Sequence, residues 1–181
     1  MFKGNGIMTN KLIKIFTRTR EKPIIADFFS NYNIPHEIYT IYDKIKVEPF
    51  EFGVSYCYPR KITPPLLYLA RRGIINYHPA PLPEYPYNKM TDSKNPIELA
   101  IERKVMEWGC TLHYMNEQLD KGKIIMKQMF KLNEPPLSKD ELGAITHWHM
   151  IKLFKDTVIS LYYNSPITNQ DFINKWNQEH K

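Results

Sequence analysis

Asn76 and His78 stand two residues apart in a short apolar run, Ile74 to His78, that ends against Pro79, Pro81 and Pro83. If that run is a strand, its period of two puts both side chains on one face. An amide beside an imidazole offers an oxyanion donor and a proton-transfer group side by side. The pair alone is a weak signal, because such residues at a strand end are more often structural. Asp120 is the second element, in the stretch MNEQLDKGK between two β-rich runs. A loop aspartate before a Lys-Gly pair is ordinarily a turn residue. If its loop folds over the end of the 74–78 run, the carboxylate can orient His78 or a water. The third element is the loop NYHPAPLPEYPYNK, where Leu82, Tyr85 and Tyr87 either wall a small substrate or anchor the loop itself.

Other chemistry-bearing residues fit worse. His147 and His149 are two apart in a helical pattern and point to different faces, a poor metal pair. His113 lies inside a strand pattern and reads as a satisfied core histidine. Cys57 and Cys110 have no metal-type spacing, so no metal is expected, and two isolated cysteines fit a reducing compartment, with cytoplasm the default. The sequence carries no dinucleotide glycine fingerprint, no P-loop and no nucleophile elbow.

Strands are predicted over 11–17, 36–42, 51–58, 74–78, 110–115 and 123–130. A helix is predicted over 22–31, with Pro23 near its start. Thr63-Pro64 opens a second that Gly73 closes. Asn95-Pro96-Ile97-Glu98 opens a third, running to about Lys104. Ser138 to Glu141 reads as a capping box for a long helix whose apolar residues, from Leu142 to Leu161, face the sheet. The stretch 163–181 reads as a polar tail with Phe172, Ile173 and Trp176 as anchors. Strands alternating with helices in the first half imply an α/β fold with a doubly wound, mostly parallel sheet flanked by helices. Ligands in such sheets bind beyond the carboxyl ends of strands, which points to the residues after 78.

The 181 residues, 43% hydrophobic, suffice for one such domain. The expected division is an extension over 1–10, a catalytic domain over 11–162 and a tail over 163–181. No run approaches the roughly 18 apolar residues of a membrane span. The net charge of +6 is spread along the chain and forms no nucleic-acid motif, so a small anionic ligand, or a basic surface with no functional meaning, fits better than RNA or DNA. Aromatics near the C-terminus are compatible with a homodimer.

Taken in order, three motifs resemble the signature of the folate-dependent formyltransferases. They are Asn76-Tyr77-His78-Pro79-Ala80-Pro81-Leu82-Pro83, then Gly109-Cys110-Thr111-Leu112-His113, then Leu119-Asp120-Lys121-Gly122. The resemblance implies a Rossmann-like core and Asn76, His78 and Asp120 as the catalytic trio. It implies N10-formyltetrahydrofolate as formyl donor, held between 58–67 and 115–119. Arg60, Ile62, Leu67, Met115, Asn116, Glu117 and Leu119 are the expected donor-site residues. An acceptor amine is expected against Pro81, Leu82, Glu84, Tyr85, Tyr87 and Lys89. Two departures bear on the acceptor. The loop reads Glu84-Tyr85-Pro86-Tyr87-Asn88 where the family commonly carries a Tyr-Arg-Gly run. The glycine-rich turn that holds phosphate in the ribonucleotide transformylases is replaced by Thr17-Arg18-Thr19-Arg20-Glu21. By elimination, and by what the resemblance of the run from Asn76 to Tyr85 implies, an amino-deoxysugar linked to dTDP or another nucleotide is the expected acceptor. A ribonucleotide or aminoacyl amine, hydrolysis of the donor, or a silent binding module are the alternatives.

Overall fold

The computed structural model describes residues 11–87 and 95–180. Six strands form one sheet: β1 (Ile13–Thr17), β2 (His36–Tyr39), β3 (Phe52–Tyr56), β4 (Ile74–His78), β5 (Glu107–Tyr114) and β6 (Ile124–Lys131). Their spatial order is β2-β1-β3-β4-β5-β6. The pairs β1–β2, β1–β3 and β3–β4 are parallel, whereas β4–β5 and β5–β6 are antiparallel. The expected mostly parallel, doubly wound sheet is therefore present, with an antiparallel flank.

Helices cover both faces, as parallel strands buried on both sides require. Helix α1 (Lys22–Asn31) and the long α4 (Lys139–Asn164) pack on one face. There Ile25, Phe29, Leu153, Phe154 and Val158 meet Ile13, Ile15, Ile75, Tyr77, Cys110 and Leu112. On the other face lie α2 (Leu66–Leu69) and α5 (Gln170–Glu179), with Phe16, Ile62, Leu67, Ile74, Phe172 and Trp176 in one cluster. The strand period divides the chain cleanly. Ile75 and Tyr77 point into the α1/α4 core, so Ile74, Asn76 and His78 point to the α2/α5 side.

Helix α3 (Pro96–Glu102) begins with the expected reciprocal cap: the Asn95 side chain accepts from a backbone N–H while Glu98 accepts from the Asn95 N–H. Helix α4 is capped by Ser138 Oγ, but Glu141 reaches the N–H of Leu137 rather than that of Ser138. Two expectations require correction. Thr63 does not cap α2, which starts only after Pro65, because the two consecutive prolines 64 and 65 donate no N–H. The stretch read as a polar tail contains the helix α5; Phe172, Ile173 and Trp176, expected as anchors, lie on it, with Ile173 buried and the two aromatics packed on the α2 cluster. No described helix is long and apolar enough to cross a membrane.

Candidate active site

Antiparallel pairing of β4 with β5 sets the floor of the site. Asn76 lies opposite His113, and His78 lies opposite Thr111. Opposed residues in such a pair share a face, so all four polar side chains project to the α2/α5 side. The alternation Thr111, His113 in β5 thus mirrors the alternation Asn76, His78 in β4.

The hydrogen bonds fix who donates. Nδ1 of His113 lies 2.9 Å from the carbonyl oxygen of Tyr114, which can only accept. His113 therefore carries its proton on Nδ1, and Nε2 offers a lone pair. The Asn76 amide nitrogen is 3.1 Å from that Nε2 and donates to it. Burial also holds His113 neutral, driving its pKa below the ordinary 6.5, with His78 adding to the same direction. Asn76 is thereby locked with one amide N–H spent and a second free to point at a reacting oxygen. Asn76 is half-buried, while His78 and His113 are 4% and 2% exposed.

His78 sits between two loops. Its Nε2 donates to the Tyr85 carbonyl at 3.0 Å, and its Nδ1 faces Asp120 Oδ1 at 3.6 Å. That separation is longer than a hydrogen bond but within ion-pair range, so the carboxylate can stabilise a protonated imidazole. The other Asp120 oxygen accepts from the Tyr87 N–H at 2.8 Å, and His113 Nε2 lies 3.9 Å from Oδ1. Asp120 adopts a left-handed backbone conformation, φ 56°, which aspartate tolerates better than most residues. Two residues on, Gly122 passes so close to the Tyr114 carbonyl that any Cβ would collide with it. The Leu119-Asp120-Lys121-Gly122 run is thus a turn clamped onto the end of β5.

Thr111 pins the proline-rich loop. Its hydroxyl donates to Ala80 O at 2.8 Å and accepts from the Leu82 N–H at 2.9 Å. Sequence reasoning missed Thr111 and set His113 aside as a core residue; the signal that would have found both is the cross-strand register.

The structure sorts the other expected site residues. Ile62 and Leu67 are buried in the α2 cluster, with Met115 packed against it. Asn116 caps its own turn by accepting from the Gln118 N–H, and Glu117 accepts from the Tyr68 hydroxyl at 2.6 Å. Arg60 and Leu119 are exposed near this end of the sheet. On the acceptor side, Pro81 and Leu82 are buried, so they support the loop rather than line an open wall. The Tyr85 ring packs on Trp108 at 4.7 Å and lies under Arg103, the geometry of the loop-anchor alternative, and its backbone carbonyl accepts from His78. Glu84 pairs with Lys127 at 3.1 Å, Tyr87 is exposed, and Lys89 lies outside the described residues.

A second polar group sits where strand order reverses, between the ends of β1 and β3. Glu21, Cys57 and His147 bring ligand-type atoms within 4.8 Å of one another. Arg18 and Arg20 already hold Glu21, each with a contact of 2.6 Å. Burial pushes the Cys57 thiol up to about 12. A protonated thiol beside a carboxylate neutralised by two guanidiniums is a poor cation site.

A family model described as "Formyl transferase" matches residues 11–156. The methionyl-tRNA formyltransferase of Mycoplasmopsis pulmonis is 33% identical over 99 residues, 55% of this chain and 32% of that protein. The formyltetrahydrofolate deformylase of Escherichia coli is 32% identical over 102 residues, 56% of this chain and 34% of that protein. The matched segment thus spans about a third of the length of these curated relatives. Among solved structures, the formyltransferase PseJ from Anoxybacillus kamchatkensis superposes with a TM-score of 0.66 at 22% identity, covering 83% of this chain and 76% of that one. It was solved with UDP-4,6-dideoxy-4-formamido-L-AltNAc and tetrahydrofolate. The phosphoribosylglycinamide formyltransferase of Bacillus halodurans superposes with a TM-score of 0.61 at 21% identity, covering 84% and 94%.

Proposed function

This chain belongs to the formyl transferase family, and on that premise we propose that it moves a formyl group from N10-formyltetrahydrofolate to the primary amine of a nucleotide-linked amino-deoxysugar. The observation that carries the reading is the convergence of Asn76, His78, His113 and Asp120, from three separate stretches of chain, at the carboxyl end of β4.

The neutral amine attacks the formyl carbon, a C–N bond forms, and the carbonyl oxygen takes up negative charge. The Asn76 N–H not given to His113 faces that oxygen. One such donor is typically worth about 100- to 1,000-fold in rate. Collapse breaks the bond to folate N10, which must gain a proton as the amine loses one. His78, its ring held by the Tyr85 carbonyl, carries that proton with Asp120 as the partner that balances the charge. The step needs no covalent enzyme intermediate, because the formyl group arrives already activated on the folate.

The acceptor class rests on the β1–α1 turn and on a relative. Both arginines of that turn bond to the one Glu21 carboxylate, and the turn lacks the glycine-rich run of the ribonucleotide transformylases. PseJ carries a UDP-linked formamido sugar, so nucleotide-linked amino sugars are the class to test first. The deciding assay offers formyl-tetrahydrofolate with a panel of amino-sugar nucleotides and follows both tetrahydrofolate release and the fate of the formyl group. Formamide on the sugar is the expected product. Formate in its place would make the chain a hydrolase of the donor, and formylation only of an aminoacyl or ribonucleotide amine would overturn the sugar reading.

A further inference from the structure

We propose that helix α5 is part of the formyl-donor site, its Phe172 acting through Tyr68 and Glu117 to position the 115–120 loop that carries Asp120. The inference rests on the donor reading above. Helix α5 lies beyond the 11–156 segment matched by the family model, so nothing in that match assigns it a role.

Three observations carry it. First, α5 sits on the same sheet face as Asn76 and His78, and Phe172 and Trp176 pack against the cluster holding Ile62, Leu67 and Ile74, as does Met115. Second, the helix is docked rather than loosely laid on. Asn169 donates through its side-chain amide to Ala70 O at 2.7 Å and through its backbone to Arg71 O at 2.8 Å. Ile173 is buried, and Ser165, just before α5, donates to Arg72 O at 2.8 Å. Third, a chain of contacts runs from the helix to the loop. The Phe172 and Tyr68 rings lie 5.3 Å apart, and the Tyr68 hydroxyl donates to Glu117 Oε1 at 2.6 Å. Glu117 stands three residues before Asp120.

The physical consequence is a two-sided brace. Tyr68, on α2, spans from one expected wall of the donor site to the other, the loop at 115–119. The Phe172 ring packs against the Tyr68 ring, a contact that favours the Tyr68 orientation reaching Glu117. Removing that packing lets the phenol swing and releases Glu117, so the loop must be ordered each time a folate binds. Ordering costs of this kind appear in donor affinity rather than in the chemical step.

The experiment measures tetrahydrofolate affinity by calorimetry, and donor KM and kcat, for wild type, Phe172→Ala, Tyr68→Phe and the double variant. Tetrahydrofolate affinity should fall about fivefold in each single variant, the ratio expected for one net hydrogen bond. The double variant should be no weaker than the weaker single, because both act on one path. Donor KM should rise in parallel while kcat stays within about twofold, and Phe172→Leu should restore most of the affinity. Tyr68→Phe keeps its ring, so it reads the brace even if Phe172→Ala lowers the melting temperature. Unchanged affinity in both singles, or fully multiplicative losses in the double, would overturn the proposal. A wild type that binds tetrahydrofolate yet formylates no amine would overturn the transfer reading, and the affinity series would still decide the brace. A wild type without tetrahydrofolate affinity would overturn both.

Discussion

Two polar clusters sit at the carboxyl ends of the sheet's strands, and they spend their hydrogen-bonding capacity differently. At the β1/β3 crevice, Glu21 is gripped by Arg18 and Arg20, so its one carboxylate is fully used by the two guanidiniums. At the end of β4, each bond leaves something over. His113 takes one N–H of Asn76 and leaves the other, and His78 binds the Tyr85 carbonyl while its second nitrogen faces Asp120 across 3.6 Å. The first cluster has more formal charge. The second has the unspent valence, and unspent, preorganised valence is what a transition state can use. Buried polar groups that satisfy one another stabilise a fold; groups held in place with capacity to spare do chemistry.

That contrast can be broken most directly at β4. His78→Ala and Asp120→Asn should each lower kcat by roughly 1,000-fold or more, and Asn76→Ala by about 100- to 1,000-fold, with little change in melting temperature. Near-normal turnover in His78→Ala and Asp120→Asn would remove the assignment. A smaller effect sharpens the role of His113. Its pKa lies below the ordinary 6.5 because burial disfavours the charged ring. The unfolded chain therefore takes up a proton on this group at a higher pH than the folded one. Above about pH 6.5 the two states are alike, and stability should fall as pH drops below that value toward the folded pKa. Protonation would also close the lone pair that orients Asn76, so kcat should fall on the same acid limb. His113→Gln should flatten the stability component of that limb, and an unchanged melting profile in the variant would show that another group is responsible. The smallest effect is expected at the crevice. Glu21→Gln should leave kcat/KM within about threefold while costing about 1–2 kcal/mol of stability in thermal denaturation, since Arg18 and Arg20 can turn toward solvent. A loss as large as that of Asn76→Ala would show the crevice to be part of the catalytic machinery.

Local signals carried much of the fold. The boundaries of α1 and β4 were legible to the residue, from Pro23 and helical spacing in one case and from a proline-terminated apolar run in the other. The capped start of α3 was equally plain. Helix α5 was legible only as three anchors, Phe172, Ile173 and Trp176, because so short an apolar set marks a helix face only when α2 supplies the surface that covers it. Within the site, the wall and anchor readings of Tyr85 stay open in the sequence, because nothing local reveals that Trp108, far along the chain, receives its ring.

The amino-acid sequence by itself determined which residue types are available, the strand period that puts Asn76 and His78 on one face, and the family to which their ordered motifs belong. Only tertiary structure decided that His113 lies opposite Asn76 and fixes its amide, that Thr111 pins the loop, and that Arg18 and Arg20 are spent on Glu21. The reason is the range of the forces involved. Periodicity and capping act within a few residues, whereas the direction of a hydrogen bond between strands depends on the register with which distant segments meet.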